Sequence, residues 1–159
     1  MRHAKAFHYM HGIADIDRPL LDEGIETTRL VIGYLKEKKV QIRNIVSSPA
    51  MRAITTAELI AKGFGVDKDD IQVFNDLYKA DIPAFEDCIY SLPDEWDHVF
   101  LVSHNPGISE FAAELAVIPE SLPTAGIVSL CFDMKKWINL CAAKPVINFF
   151  LHPKEIKSS

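Results

Sequence analysis

The stretch His98-Val99-Phe100-Leu101-Val102-Ser103 constrains the fold more than any other part of the chain. It is apolar without interruption between its ends, too short for a helix, and free of the alternation that marks a half-exposed strand. That pattern fits a central strand of a parallel sheet buried on both faces, and such a sheet needs helices to cover it. The rest of the chain supplies them. Leu21, Ile25, Thr28, Ile32 and Leu35 form one apolar stripe at helical spacing, so a helix is predicted over 21–38, with Asp22 and Glu23 at its positive end. Residues 42–47 read as a short buried strand, followed by Ser47-Ser48-Pro49 as a cap and a helix from about Ala50 to Lys62 that Gly63 and Gly65 end. Residues 71–74 read as a strand. Residues 83–92 read as a helix with Phe85, Ile89 and Leu92 on one face. Residues 107–116 read as another, with Ile108, Phe111, Ala112 and Leu115 inward. Two late strands over 126–132 and 146–151 complete a pattern of alternating strands and helices, which implies an α/β fold with a mostly parallel sheet.

A chain of 159 residues suggests one domain, read here as residues 1–153 with Lys154 to Ser159 as a loose tail. No apolar run approaches the ~20 residues of a membrane span, and no leader pattern is visible, so the expectation is a cytoplasmic protein without a membrane partner. The net charge of −5 argues against a nucleic-acid partner, which would call for a basic face. Cys88, Cys131 and Cys141 are odd in number and widely spaced, which argues against a disulfide framework or a zinc site. They read as reduced, mostly buried thiols. His8 and His11 lie close to His3, but no acidic or cysteine partner accompanies them at ligand spacing, so no metal is expected there.

An acidic chain that binds an anion must be locally basic. Of the five arginines, Arg2, Arg18 and Arg52 fall in segments that also hold unusual residues. In parallel sheets, ligands bind beyond the carboxyl ends of the strands. Arg52 belongs to the first turn of the helix after the 42–47 strand, and His104 follows the 98–103 strand just before a helix. Helix N-termini favour anions. Two guanidiniums can clamp phosphoryl oxygens in pairs. An unprotonated imidazole can attack phosphorus, a second imidazole can add charge if protonated, and nearby arginines lower a histidine's pKa and keep it neutral.

Several motifs, in order, resemble those of the histidine phosphatase superfamily, and within it the SixA-like phosphohistidine phosphatases. Arg2-His3-Ala4-Lys5-Ala6 resembles the nucleophile motif. Asp17-Arg18-Pro19-Leu20 with Gly24 resembles the segment that opens the first helix. Ser47-Ser48-Pro49-Ala50-Met51-Arg52-Ala53, followed by Thr55-Thr56-Ala57-Glu58, is similar to the second arginine motif, and Val102-Ser103-His104-Asn105-Pro106-Gly107 to the second-histidine motif. Leu77-Tyr78-Lys79-Ala80, Leu122-Pro123-Thr124-Ala125 and Pro153-Lys154-Glu155-Ile156 resemble further SixA-like signatures. The resemblance implies a single-domain three-layer α/β/α sandwich, phosphoglycerate mutase-like, with a mostly parallel central sheet. It implies His3 as the phosphorylated nucleophile, Arg2 and Arg52 as ligands of the phosphoryl oxygens, His104 as the group completing the pocket, and Arg18 as a further phosphate ligand. It implies no metal and no cofactor, since arginines and histidines supply the positive charge.

Many members of this superfamily use a carboxylic acid to protonate the leaving alcohol. Asp76, Asp81, Glu86 and Asp87 occupy the region that would hold it, but none sits in a recognisable acid motif. A phosphoramidate needs less help, and the same region is too short for a lid domain. The expected reaction is therefore removal of phosphate from phosphohistidine on a protein, such as a histidine phosphotransfer domain, through a phospho-His3 intermediate. The alternatives are a phosphomonoesterase for small molecules or phosphoserine, and a non-catalytic phosphate-binding or interaction module. The last follows from the N-terminus: the family places several apolar residues before the Arg-His pair, whereas only Met1 precedes Arg2 here. Either that strand is missing and His3 frays, or the native start lies upstream, or a neighbouring chain fills the gap.

Overall fold

In the computed structural model, which describes residues 1–8 and 11–156, helix α1 (Asp22–Glu37) is followed by strand β1 (Ile45–Ser47) and helix α2 (Met51–Phe64). Strand β2 (Gln72–Val73), helix α3 (Ile82–Tyr90), strand β3 (Phe100–Val102) and helix α4 (Gly107–Leu115) come next, then strands β4 (Ile127–Cys131) and β5 (Val146–Leu151). The first three strands form a parallel sheet in the order β2-β1-β3, with Ile45 opposite Phe100 and Ser47 opposite both Val73 and Val102. The last two pair antiparallel, Ile127 with Leu151 and Cys131 with Val146.

Strand alternation sends neighbouring side chains to opposite faces, and β1 shows the consequence. Ile45 packs with Val31 and Leu35 of α1 and with Ala53, Ala57 and Ile60 of α2. Val46 packs in a second cluster with Phe85 and Ile89 of α3 and with Ile108 and Phe111 of α4. The sheet is thus covered by helices on both sides, as the α/β reading requires. Phe85 and Phe111 stack with ring centroids 5.1 Å apart and join the two helices of the second layer.

Three sequence expectations need correction. β3 is not buried on both faces. It ends the three-stranded sheet, and Phe100 and Leu101 are only half-buried because they line an apolar cavity of about 650 Å³ that separates β3 from β4. The fully buried strand is β1. In α1 the fully buried residues are Gly24, Thr28, Val31 and Leu35, while Ile25 and Ile32 of the expected stripe pack only partly buried against the same core. The helix is turned so that Gly24 lies against the Lys5 backbone, while Ile32 lies where a side chain on Gly63 of α2 would collide with it. Cys88 is buried, but Cys131 at the end of β4 and Cys141 in a 3-10 segment are exposed, so two of the three thiols lie at the surface; all three are free. At the other end, Pro153–Glu155 make a 3-10 turn and Ile156 packs against the first core cluster; residues 157–159 lie outside the described part. No helix of the described residues is long and apolar enough to cross a membrane.

The N-terminus does not fray. The Ser103 N–H donates to the Met1 carbonyl at 3.2 Å, the His3 N–H donates to the Ser103 carbonyl at 2.9 Å, and the Arg2 N–H donates to the Gly126 carbonyl at 3.1 Å. The Ala125 N–H donates to the His3 carbonyl at 3.1 Å. One parallel bridge between Arg2 and Ser103 therefore seats the Arg-His pair between the end of β3 and the start of β4.

Candidate active site

Four separate segments meet beyond the carboxyl ends of β1 and β3. His3 arrives from the N-terminal bridge just described. Arg52 is the second residue of α2 and is buried, with 5% of its surface exposed. His104 follows β3 and is 7% exposed. Arg18 follows a 3-10 turn, Asp15–Asp17. Asp15, Arg18, Arg52, Lys79, His104 and Gly107 line one cavity of about 460 Å³. Gly107 opens α4, where a Cβ would lie 2.0 Å from the Ala80 carbonyl oxygen, so only glycine lets the helix start approach this close.

The two histidines are neighbours, with ring centroids 5.1 Å apart and planes tilted by 54°. Nδ1 of His3 lies 2.7 Å from the Ala4 carbonyl oxygen. A carbonyl can only accept, so Nδ1 carries the proton and Nε2 of the neutral ring keeps its lone pair. Burial lowers the His3 pKa to about 4, with Arg52, Arg2 and Arg18 adding smaller effects against the opposing pull of the Ala4 bond. The neutral state expected from the arginines is thus present, but desolvation is its main cause. His104 is also neutral, its pKa lowered to about 3 by burial first and then by His3 and Arg52. Its Nε2 is 2.5 Å from Ser48 Oγ. Ser47-Ser48-Pro49 was expected to cap α2, but that helix begins at Met51 with Ala50 at its N-cap and no side-chain cap. The Ser48 hydroxyl bonds His104, with only a long 3.5 Å contact from the Ala50 N–H.

The guanidiniums are held from behind. Arg52 donates from one terminal nitrogen to the Asp15 carbonyl at 2.6 Å and from the other to Asp15 Oδ2 at 3.2 Å. Arg18 donates from Nε to Asp15 Oδ1 at 2.9 Å and also bonds the Phe7 carbonyl. Arg2 donates to the Leu122 carbonyl at 3.1 Å, and its side chain is not among those lining the 460 Å³ cavity. Buried polar groups nearly always find partners. Among the described residues, only four buried side-chain polar atoms lack one, and three of them are Nε of Arg2, Nε of Arg52 and Nδ1 of His104.

None of Asp76, Asp81, Glu86 and Asp87 lines this cavity. Asp81 caps α3 through the Ala84 N–H, and Glu86 accepts from Cys141. The carboxylate in the pocket is Asp15, which the sequence reading passed over, together with Tyr78, whose hydroxyl donates to Asp15 Oδ2 at 2.6 Å. Each sits within three residues of a quoted motif residue or inside a quoted motif. The signal was present, but spacing alone does not reveal that two loops meet. Ser103 donates its hydroxyl to the Leu77 carbonyl at 3.0 Å.

Comparison with known proteins agrees with this architecture. The sequence model of the histidine phosphatase superfamily (branch 1) matches residues 1–105. The chain is similar to phosphohistidine phosphatase SixA of Escherichia coli strain K12, 28% identical over 137 residues that cover 84% of this chain and 83% of the relative. The structure of protein histidine phosphatase SixA complexed with tungstate superposes with a TM-score of 0.82 at 26% identity, covering 99% of this chain and 97% of that one. Phosphoserine phosphatase of Entamoeba histolytica in complex with 3-phosphoglyceric acid shares the fold, with a TM-score of 0.62 at 17% identity over 94% of this chain and 93% of that one. An α/β fold with a parallel central sheet, the ordered histidine and arginine motifs and a match over most of the chain lead to one assignment: this protein belongs to the histidine phosphatase superfamily and is SixA-like.

Proposed function

We propose that this chain is a metal-independent phosphohistidine phosphatase, cytoplasmic, whose substrate is a phosphohistidine on another protein. The observation that carries the reading is the set of unpartnered buried donors and acceptors on Arg2, Arg52 and His104 beside a histidine whose Nε2 is free. A cluster of this kind is built for a ligand rich in acceptor oxygens, and a phosphoryl group is such a ligand. The tungstate held by the SixA relative is likewise a tetrahedral oxyanion.

In the proposed reaction, Nε2 of His3 attacks phosphorus and the P–N bond to the substrate imidazole breaks. A substrate ring already protonated on its other nitrogen departs neutral. His3 then carries the phosphoryl group on Nε2 and its proton on Nδ1, still donated to the Ala4 carbonyl. Water attacks phosphorus next, the P–Nε2 bond breaks, His3 leaves as the neutral ring, and phosphate and a proton are released. Arg52, Arg2 and Arg18 offset the charge on the transferring oxygens. His104, neutral when the pocket is unliganded, gains basicity beside a bound dianion and can then donate to it.

Because each leaving group is a protonatable imidazole, no separate general acid is called for, and Asp15 is poorly suited to be one. Its carboxyl is held well below the usual range by the Tyr78 hydrogen bond first and by the arginines. The test is phosphate release from a phosphohistidine protein and from an aryl phosphate ester, by wild type and by His3→Ala. The expected result is faster release from phosphohistidine and loss of release with His3→Ala. Equal rates for the two proteins would overturn the mechanism, and preference for the ester would favour the phosphomonoesterase reading.

A further inference from the structure

We propose that Asp15 and Tyr78 form a positioning pair that holds Arg52 by its outer donors and Arg18 by its Nε edge, and so leaves the remaining donor edge of Arg52 for the phosphoryl oxygens. The inference rests on the pocket assigned above but concerns a part of it with no role in that reaction. Asp15 spends every acceptor it has on the pocket. Its carbonyl and Oδ2 each accept from Arg52, Oδ1 accepts from Arg18, and Oδ2 also accepts from Tyr78. The Arg18 terminal nitrogen lies 2.9 Å from the same Oδ1, so two nitrogens of Arg18 face one carboxylate oxygen.

The distribution of donors on Arg52 is the decisive detail. Both terminal nitrogens are engaged by Asp15, while Nε is buried and unpartnered. A guanidinium has five N–H donors in a rigid plane, so anchoring its outer end fixes the direction of the edge that contains Nε. Tyr78 restrains the carboxylate from the other side, and its ring meets His104 edge-on with centroids 6.0 Å apart at 86°. The pair therefore ties the arginine plane to the second histidine. Asp15 does not act by packing. Asp15 lies in a three-residue 3-10 turn without buried residues, and its side chain is 41% exposed.

The experiment measures binding of inorganic phosphate by calorimetry, and KM and kcat on a phosphohistidine protein, for wild type, Asp15→Asn, Tyr78→Phe and the double variant. Asp15→Asn is expected to weaken phosphate about tenfold and raise KM by a similar factor. Tyr78→Phe is expected to weaken it about threefold. Because the two act as one unit, the double variant should bind no more weakly than Asp15→Asn alone. Phosphate binding by Asp15→Asn that equals or exceeds wild type would overturn the proposal, since Asp15 would then compete with the anion. Additive losses in the double variant would break the pair, and a wild type that binds no phosphate would also sink it. Inactivity of wild type on phosphohistidine together with the expected binding pattern would instead refute the proposed substrate and leave the positioning role standing.

Discussion

Replacing Gly24 by alanine should damage catalysis without touching any residue of the pocket. Gly24 is the third residue of α1, and a Cβ there would lie 2.2 Å from the Lys5 carbonyl oxygen, 2.9 Å from the Lys5 nitrogen and 3.1 Å from the Lys5 carbonyl carbon. Ordinary contact between a carbon and a backbone atom is about 3.5 Å, so the Lys5 carbonyl must retreat by about 1 Å. It cannot do so alone. That carbonyl accepts from the Leu21 N–H at 2.9 Å, and the preceding Ala4 is fully buried with its N–H donated to Thr56 Oγ1 at 3.1 Å. The displacement therefore runs along two residues to His3. Overpacking of this kind costs roughly 1–3 kcal/mol, and alanine returns about 1 kcal/mol of helix propensity, which leaves a net loss of about 0–2 kcal/mol. For a chain of this length that is a fall of no more than about 8 °C in the melting temperature. A misplacement of about 1 Å at a reacting group costs on the order of 100-fold in rate, equivalent to about 2.7 kcal/mol at the transition state. The assay is phosphate release from a phosphohistidine protein, alongside a thermal melt. A Gly24→Ala protein with near wild-type turnover would refute the argument that this contact sets the position of His3.

Arg52→Lys should lower kcat/KM by about 100-fold while the protein stays folded, because an ammonium cannot satisfy two Asp15 acceptors and also present a fixed planar edge; steady-state kinetics with a thermal melt decide it. The acid limb of kcat/KM should lie below about pH 5 and not near the ordinary histidine value of about 6.5, since the free-enzyme profile reports the pKa values lowered to about 4 for His3 and about 3 for His104. The sign for stability follows from the same shifts. The unfolded chain takes up protons on these rings near pH 6.5 while the folded chain does not, so both rings favour unfolding progressively as pH falls from about 6.5 to about 4; denaturant titrations across that window should show decreasing stability.

Periodicity was sufficient where a segment's structure depends on its own residues. The helix read over 83–92 was found at Ile82–Tyr90, with Phe85, Ile89 and Leu92 all buried. The helix read from Ala50 to Lys62 was found at Met51–Phe64, ended by Gly65 at φ 72°. Hydrophobic spacing and a left-handed glycine act within one turn of the chain, so they can be read from it. Burial of β3 could not be read in the same way. Its apolar run is the same whether its second edge is paired or faces a cavity, and only the placement of β4 settles which.

The same division holds for the site. His3, Arg2, Arg18, Arg52 and His104 were named from ordered motifs; Arg18, Arg52 and His104 line one pocket and His3 adjoins it beside His104, at the sheet edge where the α/β pattern already places such loops. The roles of Asp15, Tyr78 and Ser48 belong to the tertiary structure. Asp15 and Tyr78 are 63 positions apart, and Ser48 and His104 are 56 apart. Hydrogen bonds across such separations have no local cause. The sequence alone determined the element types and the α/β pattern, because these follow from side-chain chemistry and short-range spacing, while its candidate phosphoryl-binding residues stood on ordered motifs that resemble those of a family. Tertiary structure alone decided that the histidines are buried, so that desolvation more than the arginines keeps them neutral, that Ser48 bonds His104, and that one carboxylate anchors two arginines, because burial and directional bonds exist only once distant segments are brought together.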